Sequence, residues 1–491
     1  MSNNPILTIS ICVSKNIDEV KRCLDSLSTL MNQVDCELIL TDTSKDEDIH
    51  NLCLGYTNHV INFEWCNDFA KARNVGINAA NGQWFFFLDD DEWLEDSDEI
   101  ISFFTTNQYQ KYNVANLYVR NFYDIDMSFY GDIQVTRLFS LKNNVTFQGK
   151  IHEFPTPLNA PSIELSTRIM HSGYIAVTEE DTRKKFNRNF PILEEMISEE
   201  PGLLRWRVQA AQELVNAKEW EKLIEICQKG LDDKAVFEDL IPVDLDTLRA
   251  GLIEGLVESG KTDDAISSAN LFINSSDVCQ LCKAYIHLQL VSNYVRLNDF
   301  DKASANLEEY YSIKEYFDKH ENELNTQKTA FIISRTFEDF LLMRANSLKM
   351  TLAIKTNNEA IMAFVYPKLK WNEKVIYLDK DLMNCLKTDG VKMLENQTIC
   401  QAFADLWNNS EAASTFISYA QTGTEPESLE GVERAIAFFC ETNPKGQILF
   451  DYAFEVEDPT EHLTRMVAAA REYPAMATVI KNYMNIYKTY L

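Results

Sequence analysis

The stretch "WCNDFAKARNVGINAANGQWFFFLDDDEW", residues 65–93, packs a helix signal, a buried-strand signal and four adjacent carboxylates into one short span. Residues 68–80 read as a helix and 83–89, "QWFFFLD", as a strand. Working outward, "ILTISICV" (6–13) and "CELILTD" (36–42) read as strands, and "IDEVKRCLDSLSTLM" (17–31) as the helix between them. Alternation of this kind predicts βαβ units, hence an α/β domain with a parallel sheet and helices on its faces. Ligands of such sheets collect beyond the carboxyl ends of the strands. Polar groups converge there: Ser14 after the first strand, Asp42 and Thr43 at the end of the second, and Asp89 to Glu92 at the end of the third.

Four neighbouring carboxylates repel one another unless a cation, a partner or solvent relieves them. If the strand stays extended through residue 92, Asp89 and Asp91 share one face, and Asp90 and Glu92 the other. A D-x-D pair at a strand end can hold a divalent cation that is bound in turn by a diphosphate, and its hard oxygens suit Mg²⁺ or Mn²⁺. Read alone, D-x-D is a weak signal and an acidic run is usually a solvated loop; the position after the apolar strand favours a site.

The chain has 491 residues and so should divide into two or more domains. Its formal net charge of -29 argues against a nucleic-acid or anionic-membrane binder, because both need clustered cations. The N-terminal "MSNNPILTISICVSKN" lacks a basic leader, and no apolar run is long enough to span a bilayer, so a cytoplasmic protein without membrane insertion is expected. Eleven cysteines, scattered within apolar segments, fit reduced core thiols. Cys279 and Cys282 form a CxxC with no second ligand pair, so two core-facing thiols are expected there rather than zinc.

Beyond about residue 190 the texture is helical. Segments 214–231, 256–273 and 294–311 each read as an apolar helix, a short polar turn and a second helix. Their turns recur at roughly forty residues, which suggests a degenerate helical-hairpin array. Past residue 325 the repeats fade. The clearest helix there spans 326–354, and 421–431, "QTGTEPESLEG", is the most loop-like stretch. The expected division is 1–190, 191–325 and 326–491.

Residues 65–93 resemble the pattern W-x-N-D-F-x-x-A-R-N, A-x-G-x-W and L-D-x-D-E of bacterial family-two glycosyltransferases with the GT-A fold and tetratricopeptide-like helices. "FQGKIHEF" (147–154), "HSGY" (171–174) and "KKFNRNFPIL" (184–193) resemble further motifs of that family, in the same order. The resemblance implies that Asp42 pairs with the uracil of a UDP-sugar, although Ser44 stands where glycine is usual. It implies that Asp68 and Arg73 contact the nucleotide, beside Ser14, which is expected there from its place at a strand end, that Asp89 faces ribose and metal, and that Asp91 and His171 complete the metal set. An imidazole beside two carboxylates favours Mn²⁺ over Mg²⁺. Glu153 is the expected base, with Asp90 or Glu92 as alternatives. Lys184, Lys185 and Arg188 are expected to close over the diphosphate.

What the resemblance implies as a whole is an inverting, metal-dependent transfer of glucose or N-acetylglucosamine from a UDP-sugar to Ser, Thr or Cys side chains of a protein or peptide. The alternatives are a regulatory helical scaffold with a vestigial transferase domain, and a transferase acting on cell-surface polysaccharide.

Overall fold

The computed structural model describes residues 4–490 apart from 15, 124, 129, 176–177, 239–240, 329–330 and 372–377. The chain divides into two compact units, Met1–Lys218 with Val236–Glu238, and Glu219–Ala235 with Asp239–Leu491.

The first unit runs β1 (Leu7–Val13), α1 (Ile17–Ser26), α2 (Ser28–Gln33), β2 (Cys36–Asp42), α3 (Glu47–Leu54), β3 (Val60–Asn62), α4 (Phe69–Ala79) and β4 (Trp84–Asp89). It continues with β5 (Glu92–Leu94), α5 (Asp98–Thr105), β6 (Val114–Phe122), β7 (Tyr130–Ser140), β8 (Thr146–Gln148), β9 (Phe154–Thr156) and β10 (Ser162–His171). Two helices, α6 (Glu179–Glu199) and α7 (Leu204–Asn216), close it. Eight strands form one sheet in the order β3-β2-β1-β4-β7-β6-β10-β5. Its first four strands are parallel, as the sequence predicts. The other half is mixed: β7 is antiparallel to both β4 and β6, and β5 to β10.

Apolar β1 and β4 form the middle of this sheet, and Leu7, Ile9, Phe85, Phe86 and Leu88 are fully buried. Helix α4 lies close to β1, where a Cβ on Gly76 would come within 2.1 Å of Ser10 Oγ. That approach brings Arg73 of α4 to the end of β4. Helix 17–31 is divided at Leu27 into α1 and α2.

The strand does not remain extended through residue 92. It ends at Asp89, turns at Asp90–Asp91, and resumes as β5, which pairs with a different strand. The two-and-two division of carboxylates fails for that reason. Register aligns the strand ends instead: Val13 opposite Asp42, Cys12 opposite Asp89, and Glu92 opposite His171.

Every regular element described in the second unit is helical. The helix pairs Pro242–Glu258 with Thr262–Ile273, and Gln280–Arg296 with Phe300–Asp318, match two of the expected hairpins. Each turns through one left-handed residue, Gly260 (φ +71°) and Asn298 (φ +58°), whose N–H caps the preceding helix. The same turn recurs at Asn357 (φ +53°), between Asp339–Lys355 and Glu359–Val365, so the repeat geometry outlasts the repeat signal in sequence. The helix expected over 326–354 is broken into shorter pieces before Asp339. Cys279 caps the N-terminus of its helix by accepting from the Cys282 N–H, and Cys282 is buried.

Candidate active site

At the carboxyl end of β2, Asp42 is 5% exposed. Its Oδ1 accepts from Ser44 N at 2.9 Å and Ser44 Oγ at 2.6 Å, and its Oδ2 lies 2.8 Å from His50 Nδ1. Burial alone would raise this carboxyl, but the Ser44 and His50 hydrogen bonds outweigh it and hold the group below its ordinary value. Asp42 and His50 line an open cavity of about 530 Å³, with Lys45, Asn62 and Phe63 among its other walls. One strand over, Ser14 donates through N and Oγ to Asp90 Oδ2 at 2.6 and 2.7 Å. Ser14 therefore fixes the acidic turn, and burial pushes the Asp90 carboxyl up to about 6.

Arg73 joins two of the expected site residues. Its guanidinium, 7% exposed, donates from Nε to Glu153 Oε1 at 2.6 Å and from Nη2 to Asp89 Oδ1 at 2.5 Å. Burial alone would raise Asp89, but Arg73 and Arg137 more than offset it and hold the carboxyl well below the usual range. Arg137, from β7, reaches Asp89 Oδ2 at 3.7 Å and pairs with Glu92. The two guanidiniums lie 4.9 and 4.8 Å from the centre of the Phe87 ring. Glu92 is 2% exposed and accepts the Asp89 N–H at 2.9 Å, so it braces the turn instead of facing solvent. Burial pushes its carboxyl up to about 7 against the pull of Arg137.

Asp91 and His171 meet across the turn, with Oδ2 and Nε2 3.3 Å apart. Asn121 Oδ1 stands 2.7 Å from His171 Nδ1, which fixes the ring. With Nδ1–H donating to that carbonyl oxygen, the second ring nitrogen, Nε2, donates to the Asp91 carboxylate and offers a ligand lone pair only once that proton leaves. Burial would lower the imidazole, but Asp91 outweighs it and the net shift is upward. A Cβ on Gly173 would come within 2.4 Å of Nε2 and 2.7 Å of Asp91 Oδ2, so the space beside this pair depends on a glycine.

The expected three-residue metal set is not assembled. Asp89 is turned to Arg73 and Arg137, and among the described residues no group of three or more His, Cys, Asp or Glu side chains forms a metal cage. One carboxylate and one imidazole still suit Mg²⁺ or Mn²⁺, which ordinarily combine one or two protein ligands with substrate phosphates and water.

The remaining expected residues separate. Lys185 lies over the Tyr174 ring at 4.9 Å, and Tyr174 packs edge-on against His171, so this lysine borders the site. Arg188 hydrogen-bonds Asn189 and lies 5.8 Å from the Phe69 ring. Lys184 is not drawn in: it is exposed and pairs along its own helix with Glu180 and Asp181. Asp68 caps α4 by accepting from Lys71 N at 2.8 Å. The sequence reading missed Arg137, Asn121, Gly173 and His50. All act through partners on other elements, and only the glycine of "HSGY" carried a local signal.

Residues 8–133 match the family model "Glycosyl transferase family 2". The chain is 26% identical over 250 residues to the SPbeta prophage-derived glycosyltransferase SunS of Bacillus subtilis (strain 168), covering 48% of this chain and 56% of that one. It thus spans about half the length of that relative. A TPR repeat-containing protein of Synechococcus elongatus is 35% identical over 88 residues, 18% of this chain and 21% of that one. Among solved structures, S. aureus TarS 1-349 aligns with a TM-score of 0.29 and 13% identity, covering 64% of this chain and 91% of TarS 1-349. The α/β domain followed by helices is as the sequence predicts, and the chain carries a glycosyl transferase family 2 domain homologous to that of SunS.

Proposed function

We propose that this chain is an inverting glycosyltransferase that moves glucose or N-acetylglucosamine from a UDP-sugar to Ser, Thr or Cys side chains of a protein or peptide. The observation that carries the reading is that the carboxyl ends of neighbouring strands bear the Asp42 cavity after β2 and the acidic turn after β4, where Asp91 meets His171. The name of the related SunS, a prophage-derived glycosyltransferase, supports it.

In this reading Asp91 and His171 would hold Mn²⁺ or Mg²⁺, which when bound supplies positive charge against the leaving diphosphate. Arg73 orients Glu153 by engaging Oε1. The Glu153 carboxylate takes the acceptor proton, the freed oxygen or sulfur bonds to the anomeric carbon, and UDP departs with the electron pair of the broken C–O bond. Lys185 borders the phosphates through its place over Tyr174. The reaction belongs to the 1–190 segment and takes place in the cytoplasm, and the helices of 191–325 and 326–491 receive the acceptor polypeptide.

Intact-mass analysis tests the acceptor. Flagellin and small secreted bacteriocin-type peptides, incubated with the protein, Mn²⁺ and UDP-glucose or UDP-N-acetylglucosamine, should gain one sugar at a Ser, Thr or Cys. Sugar transfer to a polysaccharide, with none to any polypeptide, would contradict the protein-acceptor reading.

A further inference from the structure

The resemblance assigns uracil recognition to Asp42, yet the geometry leaves that carboxylate little to offer. It is 4% exposed at its side chain, Oδ1 already accepts twice from Ser44, and Oδ2 is taken by His50 Nδ1. A carboxylate accepts at about four positions, and three are used. His50, at 30% side-chain exposure, is the more open member of the pair and lines the same cavity.

We infer that His50 reads the nucleobase and that Asp42 is its positioning residue, a reading that rests on the nucleotide-sugar assignment above. An ionised Asp42 can only accept, so the proton between the two must sit on His50 Nδ1. In the neutral imidazole Nε2 then carries a lone pair. A base edge facing it must donate a ring N–H, which uracil does at N3 and cytosine does not. Cytosine sets a ring lone pair against the imidazole lone pair, and a site built around a hydrogen bond rejects an analogue that lacks it by large factors. Ser44 makes the device testable. Its backbone N–H must donate to residue 42, so in Asp42→Asn the amide oxygen stays with Ser44 and the NH₂ faces His50 Nδ1. The imidazole proton then moves to Nε2, and the group presented to the base changes from acceptor to donor.

Calorimetric titration of the full chain with UDP and CDP in the presence of Mn²⁺ tests this. The wild type should prefer UDP by about 100-fold or more. His50→Phe should bind both nucleotides with the preference largely gone, and Asp42→Asn should bring the UDP-to-CDP ratio to unity or below it. Circular dichroism confirms that each variant is folded. A wild type that binds UDP and CDP equally overturns the inference, as does a His50→Phe protein that keeps the preference. If neither diphosphate binds the wild type, the nucleotide-sugar reading itself falls and the inference with it. These outcomes are distinct, because the first two leave nucleotide binding intact. A merely structural role for His50 would weaken both nucleotides together and leave their ratio unchanged.

Discussion

Replacing Arg73 by methionine keeps most of the side-chain length and removes the charge that joins Asp89 to Glu153. Glu153 is 12% exposed at its side chain, so losing its pair with Arg73 costs about 3 kcal/mol, the lower end for breaking a buried ion pair. Asp89 is 40% exposed and keeps Arg137 at 3.7 Å, so its loss is screened and adds less than about 1 kcal/mol. A total of about 3 to 4 kcal/mol in a unit of this size lowers its Tm by on the order of 10 °C. Differential scanning calorimetry of the full chain should show that shift in the α/β unit's transition. The pH dependence has a definite sign. The folded Asp89 carboxyl is depressed, so its contribution is fully present above the unfolded value near ~3.9 and is lost as pH falls through the folded value. The methionine variant lacks the Arg73 share of that contribution, so its gap from the wild type should narrow, by less than about 1 kcal/mol, below about pH 4. A Tm shift under about 2 °C, or a gap that widens in acid, would refute the assigned role of Arg73.

Gly173→Ala places a Cβ about 1 Å too close to His171 Nε2, and a displacement of that size at a reacting centre costs roughly 100-fold in rate. Metal titrations of UDP release should show weakened Mn²⁺ dependence with Tm almost unchanged, whereas wild-type metal response would count against the Asp91–His171 site. Glu153→Gln should lower kcat by about 100-fold or more with little change in KM for the UDP-sugar, because the amide oxygen can still accept from Arg73 Nε but cannot take the acceptor proton, while loss of the charge pair lowers Tm. If KM rises and kcat holds, Glu153 binds substrate and is not the base. Gly260→Ala meets no atom within 4 Å, so its cost is backbone strain alone, about 1 kcal/mol by chemical denaturation.

Local pattern carried much of the fold. The strands at 7–13, 36–42 and 84–89 and helix α4 were legible because their apolar period is complete within a few residues. The mixed half of the sheet was not, because β7 shows no alternating apolar face over its first half, where Tyr130, Asp132, Ile133 and Gln134 are exposed, and owes its place to pairing with β4 and β6. Extending β4 through Glu92 failed for a related reason: an antiparallel partner, β10, captures residues 92–94 from far along the chain. The acidic run was legible as a site but not in its detail. Ser14, Arg73, Arg137 and His171 each take a different carboxylate of the run or its neighbour Glu92, and no spacing rule announces such partners.

The most direct test of the account is UDP release by the purified chain from a panel of UDP-sugars with Mn²⁺, compared with the Asp91→Ala variant and with metal chelation. The account predicts release from at least one UDP-sugar by the wild type, and its loss by both the substitution and the chelator. Turnover that survives both would contradict the metal-assisted mechanism, and a wild type that neither binds nor turns over any sugar nucleotide would contradict the transferase reading itself.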